Sequence, residues 1–326
     1  MLFISRDDIL NLIGMDDLIG VMEGAFRELA LGSVEMPLRH ALRSPDPPGT
    51  VHIMPAMLHA SKAVGLKVVA HYSANPTNFK LPTINAMILH LDYTTGRVIA
   101  ILDGTHLTAM RTAAVSGLAT RYLARKDSRT VGLIGSGVQA ATHLEAMQRV
   151  RPIASAKVFS PTPSHREAFA KKFSAKLEID VEPVGTGKEA ATHADIVVTA
   201  TPATEPVLKG GWLADGCHVN AVGSGTPGFR ELDESVLQRS KIVADDIEAA
   251  ASETGDFLAP MREGRFSKEQ IHAGLGDLVI GRKEGRTNDR EITLFKSVGL
   301  ALEDVSAAKF IYERAVERGL GKEVQT

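Results

Sequence analysis

Four residues in the N-terminal part of the chain carry chemistry that their surroundings make informative. Arg39 follows Pro37 closely, His52 and Lys67 interrupt short apolar runs, and Arg111 stands immediately before Thr112. A lysine inside the apolar run 64–70 is costly to bury without a partner, so Lys67 faces either solvent or an anion. Arg111 can clamp a carboxylate through two parallel hydrogen bonds or reach a phosphate, or it is an ordinary surface arginine. Taken together, these cations point to a small anionic substrate such as a carboxylic acid. His52 titrates near neutrality in its ordinary state, which suits proton transfer, although a strand histidine bonded to its neighbours has the same pattern. Among the later acids Glu253, Asp256, Asp277 and Asp304, the last is the candidate for the site because it comes soon after Lys296-Ser297-Val298-Gly299.

A second chemical signal lies at Thr130-Val131-Gly132-Leu133-Ile134-Gly135-Ser136-Gly137-Val138-Gln139-Ala140. A short apolar run breaks at glycines and opens into a helical pattern. Strand, Gly-x-Gly-x-x-Ala and helix in that order suit a dinucleotide pyrophosphate. Gly135 permits the tight turn, Gly137 lets phosphates approach backbone N–H groups, and Ala140 lets the helix pack on its strand. The helix N-terminus then faces the anion. At the end of the next strand an enzyme selective for NAD usually carries an acid that accepts from the ribose 2′-hydroxyl. Here the segment reads Val158-Phe159-Ser160-Pro161-Thr162-Pro163-Ser164-His165-Arg166, with hydroxyls and positive charge instead. NADP(H) is therefore the preferred cofactor, with NAD(H) as the alternative.

The elements that must position these groups follow from periodicity. Residues 5–31 read as two amphipathic helices joined near Gly14. The proline-rich stretch 36–48 is extended or looped, and 51–56, 63–70, 83–91 and 97–102 read as strands of a mostly antiparallel sheet. A long alanine-rich helix over 107–125 leads into the glycine motif. Beyond it strands at 157–159, 181–184, 196–200, 217–222 and 241–244 alternate with helices at 164–173, 188–194 and 233–239, which argues for a doubly wound parallel sheet. Residues 292–320 read as one long amphipathic helix that returns to pack on the N-terminal domain.

With 326 residues, 44% hydrophobic, 23% charged and a net charge of −2, the composition is that of an ordinary soluble globular protein of about two domains. The balanced charge argues against nucleic acid as a partner. No apolar run approaches a membrane span, and residues 1–8 do not resemble a signal peptide, so the cytoplasm is the expected location. The single cysteine, Cys217, reads as a buried structural residue, and the scattered histidines His40, His52, His59, His71 and His90 lack metal-ligand spacing, so no metal is expected.

Longer strings then carry a resemblance. Leu81-Pro82-Thr83, Thr95-Gly96, Asp103-Gly104-Thr105-His106-Leu107-Thr108-Ala109-Met110-Arg111-Thr112-Ala113-Ala114, the glycine motif and Glu291-Ile292-Thr293-Leu294-Phe295-Lys296-Ser297-Val298-Gly299 resemble the ornithine cyclodeaminase and mu-crystallin family over nearly the whole chain. The resemblance implies a homodimer. It implies a Rossmann dinucleotide-binding domain over 116–299 and a discontinuous α+β substrate-binding and dimerisation domain over 1–115 plus 300–326. It also implies that Arg39, Lys67 and Arg111 hold the substrate carboxylate, and that Thr83 and Thr112 approach the nicotinamide. The expected cofactor-binding set is Thr83, Arg111, Thr112, Gly135, Gly137, Val138, Gln139, Ser160, Thr162, Arg166, Thr201 and Val222, and the expected catalytic set is Lys67, His52 and Asp304.

Two departures from the cyclodeaminases bear on the reaction. Those enzymes place a glutamate where this chain has His52, and an aspartate in the loop after the Rossmann strand where it has Gly225. Cyclodeamination needs a base at the substrate amine, and glycine offers none. The resemblance therefore favours an NAD(P)H-dependent reductase of cyclic ketimine carboxylates, such as pyrroline-2-carboxylate or piperideine-2-carboxylate, or an enzyme like alanine dehydrogenase. The alternatives are an ornithine or lysine cyclodeaminase with bound NAD, and a mu-crystallin-like protein that binds NADPH and a small ligand.

Overall fold

The computed structural model describes residues 1–325, which form two compact units. One comprises Met1–Arg111 with the segment from Leu300 onward, and the other is Thr112–Gly299. The division falls at Arg111/Thr112, within the continuous helix Gly104–Leu123.

The first unit is built on an eight-stranded sheet. Strands His40–Pro45, Pro48–Leu58, Ala63–His71, Ile84–Leu91 and Val98–Asp103 form an antiparallel meander. Because side chains alternate across a strand, register decides which of them meet. Met54, Lys67, Ile88 and Leu102 form one cross-strand row. Met54, Ile88 and Leu102 are buried, so Lys67 is placed on the core side of the sheet. The helices Arg6–Leu12 and Met15–Ala30 are joined at Gly14, and Ser5 and Asp8 close a capping box at the start of the first.

The C-terminal helix Ala301–Arg318 packs on strands Pro48–Leu58, Ala63–His71 and Ile84–Leu91 and on helix Met15–Ala30. Leu302, Val305 and Ile311 are buried in this contact, each contributing roughly 1.5–3 kcal/mol. Close approach depends on Gly65. A Cβ there would lie 2.4 Å from the Leu89 carbonyl oxygen and 3.5 Å from Val305, so any side chain would push helix and strand apart.

The second unit holds eight parallel strands in the order Asp180–Pro183, Ser155–Phe159, Thr130–Ile134, Ile196–Thr199, His218–Ala221, Ile292–Lys296, Ser240–Ala244 and Ile271–Gly274. The chain reverses direction across the sheet between Thr130–Ile134 and Ile196–Thr199, which is where a doubly wound sheet opens its ligand crevice.

One expected element is corrected. Residues 292–320 are not a single helix: Ile292–Lys296 is a central strand, and the helix begins at Ala301. The run Ile-Thr-Leu-Phe is β-branched and aromatic, and all five strand residues are buried between two neighbouring strands, so tertiary pairing overrides the helical spacing. Gly299, at φ +77°, then ends the extended segment in a conformation that other residues rarely adopt.

Candidate active site

On the core side of the first sheet, the Lys67 ammonium lies 2.6 Å from Asp304, and its side chain is 1% exposed. Thr108 Oγ1 stands at 3.5 Å as a second, weaker partner. Arg111 comes from the helix Gly104–Leu123. Its Nε donates to the other Asp304 oxygen at 3.0 Å, and its Nη1 pairs with Glu303. Glu303 and Asp304 occupy the first turn of Ala301–Arg318, where the helix dipole favours carboxylates. Glu303 also accepts from the Leu300 N–H at 3.0 Å.

Two cations and two carboxylates balance, yet the cations do not behave alike. Burial, then the neighbouring Arg111 charge, lower the Lys67 pKa, Asp304 opposes them, and the value settles at about 8. Burial also opposes the charge on Arg111, but Asp304 and Glu303 outweigh it and hold the guanidinium above its ordinary range. Lys67 is thus the one cation of the four-membered cluster that can release a proton near neutral pH.

His52 lies on the same side of the sheet, with Ala41 and Val69 as cross-strand neighbours. Burial lowers its pKa to about 4, reinforced by Arg39, Arg43, Lys67 and His71. The imidazole is therefore neutral at pH 7, and its Nδ1 is buried without a hydrogen-bond partner. Arg39 is half-buried just ahead of the strand His40–Pro45. Thr83 precedes the strand Ile84–Leu91, and its carbonyl accepts from the Tyr72 N–H.

In the second unit the glycine loop takes up the geometry of a phosphate cradle. Gly135 has φ +120°, and a Cβ on it would lie 2.5 Å from the Ala200 carbonyl oxygen. Gly137 is the N-cap of helix Val138–Val150, and a Cβ on it would meet no atom within 4 Å, so the helix N-terminus is open to an incoming anion. Val138 is exposed, and Gln139 Oε1 is buried without a partner. Ser136 donates to Ser160 at 2.9 Å, Thr162 is the N-cap of Pro163–Leu177, and Arg166 donates to the Ser160 carbonyl at 2.8 Å. The residues present fit a dinucleotide.

Thr112 is buried on the connecting helix. Thr201 and Val222 follow the adjacent strands Ile196–Thr199 and His218–Ala221, and Glu231 ties these strand ends together. It accepts from Thr199 Oγ1, the Thr201 N–H and hydroxyl, and the Gly223 N–H at 2.7–2.8 Å. Behind it Asp256 accepts from the Glu231 and Leu232 N–H groups and pairs with Lys296 at 3.0 Å.

Sequence reasoning did not single out Glu303, Glu231 or Lys296. Lys296 carried the same signal as Lys67, a cation ending an apolar β-prone run, but it was hidden by the helical reading. Glu303 adjoins Asp304, and only helix geometry and the position of Arg111 distinguish the two acids.

A model of the ornithine cyclodeaminase/mu-crystallin family matches residues 1–319. The chain belongs to that family. This family member is 39% identical over 328 residues to a delta(1)-pyrroline-2-carboxylate reductase of Bacillus cereus, with 100% of each chain covered. It is also similar to the Thermococcus litoralis delta(1)-pyrroline-2-carboxylate reductase in complex with NADH and L-proline. That comparison gives 46% identity and a TM-score of 0.97, covering 99% of this chain and 100% of the other. An archaeal alanine dehydrogenase dimer with bound NAD is 36% identical with a TM-score of 0.94, covering 100% and 99% of the two chains.

Proposed function

We propose that this protein reduces the C=N bond of an imino acid. The chain is an NAD(P)-dependent oxidoreductase of the C–N bond, and its best-supported substrates are cyclic ketimine carboxylates such as pyrroline-2-carboxylate or piperideine-2-carboxylate, giving proline or pipecolate. Oxidative deamination like that of alanine dehydrogenase is the same chemistry run on an open-chain amino acid. The observation that carries the reading is the buried Lys67–Asp304–Arg111 cluster, in which one lysine has been brought to a pKa of about 8.

Bound NAD(P)H supplies the hydride that the C=N carbon accepts. Protonated Lys67 gives its proton to the imine nitrogen, and Arg111 favours that release by raising the electrostatic cost of a second cation beside it. Asp304 orients the ammonium and stabilises positive charge at the substrate nitrogen. Arg39 and Arg111 take the substrate carboxylate. Neutral His52 contributes a polar wall and is not the acid at pH 7.

In this proposal the first unit holds the substrate, and the second holds the dinucleotide through the Gly135–Gly137 loop. The enzyme works as a homodimer. Supporting this, the outward side of the first sheet carries the apolar row Ile53, Val68 and Met87 beside Leu42, with Val68 38%, Met87 39% and Leu42 61% exposed. NADP(H) is preferred over NAD(H) on the strength of Ser160, Thr162 and Arg166 and the lack of an acid among them. Arg166→Ala should raise the KM for NADPH on the order of tenfold and leave that for NADH within about twofold. Equal effects on both cofactors would remove Arg166 from 2′-phosphate recognition.

The reaction is tested by following NADPH and NADH absorbance with pyrroline-2-carboxylate, piperideine-2-carboxylate, and pyruvate plus ammonia. Net cofactor oxidation is expected. Ammonia release from ornithine without net redox change would overturn the proposal in favour of a cyclodeaminase.

A further inference from the structure

In the second unit one buried acid joins two strand ends that lie far apart in the sequence. Glu231 is fully buried, and burial raises its pKa against the opposing pull of Lys296. Placing a carboxylate there is costly unless its oxygens are used. Both are: Oε1 accepts from the Thr201 N–H at 2.7 Å, and Oε2 accepts from the Gly223 N–H at 2.8 Å. The hydroxyls of Thr201 and Thr199 add a second donor to each oxygen. The backbone of Glu231 is fixed as well. Its N–H donates to Asp256 at 2.7 Å, and its carbonyl accepts from the Val207 and Leu208 N–H groups at 2.8 and 2.9 Å. Glu231 is thus held in place, and it holds two strand ends in turn.

Those ends lie on one side of the crevice. Thr130–Ile134 leads into the glycine loop, and the sheet reverses between it and Ile196–Thr199. In a doubly wound sheet each half takes one mononucleotide. The side of Ser155–Phe159, with Ser160 and Arg166, is the adenosine side, so Ile196–Thr199 and His218–Ala221 face the nicotinamide. Packing leaves little slack here. A Cβ on Gly135 would lie 2.5 Å from the Ala200 carbonyl oxygen and 3.5 Å from Thr201 Cγ2, and one on Gly223 would lie 2.2 Å from the Thr201 carbonyl oxygen. A shift of Thr201 is therefore felt at the glycine loop and at Gly223 together.

We infer that Glu231 is a positioning residue for the dinucleotide: it holds the ends of Ile196–Thr199 and His218–Ala221 so that the crevice is already shaped for the nicotinamide half of the cofactor. This deepens the proposed reaction and rests on the reading of the Gly135–Gly137 loop as the cofactor site. A carboxylate is required, and an amide of the same shape does not serve. Two backbone N–H groups point at two different oxygens, and a glutamine would turn its NH2 group toward one of them. Preorganisation of this kind shows as affinity, because a loosened crevice must be ordered again on binding.

Paired ligands test this by calorimetry on the whole protein, without turnover. NADH is compared with ADP-ribose, and NADPH with 2′-phospho-ADP-ribose, the second of each pair lacking the nicotinamide. Glu231→Gln should weaken the nicotinamide-bearing ligands on the order of tenfold and leave the other two within about twofold. In steady state the KM for NAD(P)H should rise while that for the imino acid stays within about twofold. Thr199→Val removes one hydroxyl donor and keeps the outline of the side chain. It should show the same selectivity on the order of threefold, and it decides the matter if Glu231→Gln does not fold. Equal weakening of both ligands in a pair, as general loosening of the unit would give, or no weakening at all, would overturn the inference. If the parent protein binds neither member of either pair, the dinucleotide reading itself fails, and the inference with it.

Discussion

Lys67 and Lys296 are both buried in strands, and each meets an aspartate, at 2.6 and 3.0 Å respectively. What differs is the sign of the next neighbour. Beside Lys67 stands Arg111, a second cation that competes for Asp304 and drives the lysine toward releasing its proton. Around Lys296 stand Asp256 and Glu231, whose carboxylates bind the loops after the strands Ile196–Thr199 and His218–Ala221, and among the described residues no second cation pairs with either acid. The same residue type in the same backbone setting is thus prepared for proton transfer in one unit and for holding strand ends together in the other. At Lys67 burial lowers the pKa most, and the second cation beside it adds to what burial begins.

Removing each lysine should separate these roles. Lys296→Met leaves Asp256 buried without its counter-ion, and such a loss costs about 3–5 kcal/mol. A large fall in the denaturation midpoint is therefore expected, and an unchanged midpoint would contradict a structural role. Lys67→Ala leaves Asp304 paired with Arg111, so the midpoint should stay close to that of the parent while kcat/KM falls on the order of a hundredfold. Unaltered kinetics would remove Lys67 from the chemistry and erase the contrast.

The pH dependence sharpens the same comparison. Reduction consumes the Lys67 proton, so kcat/KM should decline about tenfold per pH unit above about 8, whereas amino-acid oxidation needs the free lysine amine and should rise toward the same point. Lys67→Arg should abolish that limb, because a guanidinium keeps its proton throughout. The linkage sign is equally definite. The native state gives up this proton at about 8 and the unfolded chain near 10.5, so between those values the unfolded state binds more protons, and this group's contribution to stability improves as pH rises. Below about 8 its burial penalty is present in full. The smallest effect is expected at His52: with its pKa lowered to about 4, His52→Gln should leave the limb near 8 in place, and loss of that limb would transfer the acid role from Lys67 to His52.

Gly225 offers a milder probe of the family's other chemistry. A Cβ there would meet only the Val298 carbonyl oxygen at 3.7 Å, an ordinary contact, so Gly225→Asp should fold with an unchanged midpoint, as thermal denaturation can check. The missing cyclodeaminase carboxylate is then a matter of chemistry, since the backbone has room for it.

The glycine motif and the lone cation in an apolar run were legible because each is a local conflict with the pattern around it. A glycine where a strand turns into a helix, or a lysine where every neighbour is aliphatic, needs explaining at the level of the chain itself. The pairing of Lys67 with Asp304 was not legible, because the two lie 237 positions apart and meet only when Gly65 lets the last helix settle on the sheet. Nor was the strand Ile292–Lys296, whose spacing also fits a helix until two partner strands claim it.

By itself, then, the sequence determined which residue types are available: a phosphate-cradling loop at Gly135–Gly137, isolated basic residues at 39, 67 and 111, and glycine where a related chemistry would need an acid. Tertiary structure alone decided which of them touch, and therefore their charge states. A pKa is set by burial and by the charges within a few ångströms, and sequence spacing does not encode those distances. Lys67 is brought to about 8 because burial, in a site that a helix from the far end of the chain completes, and the neighbouring Arg111 lower its pKa by more than Asp304 and Glu303 on that helix raise it.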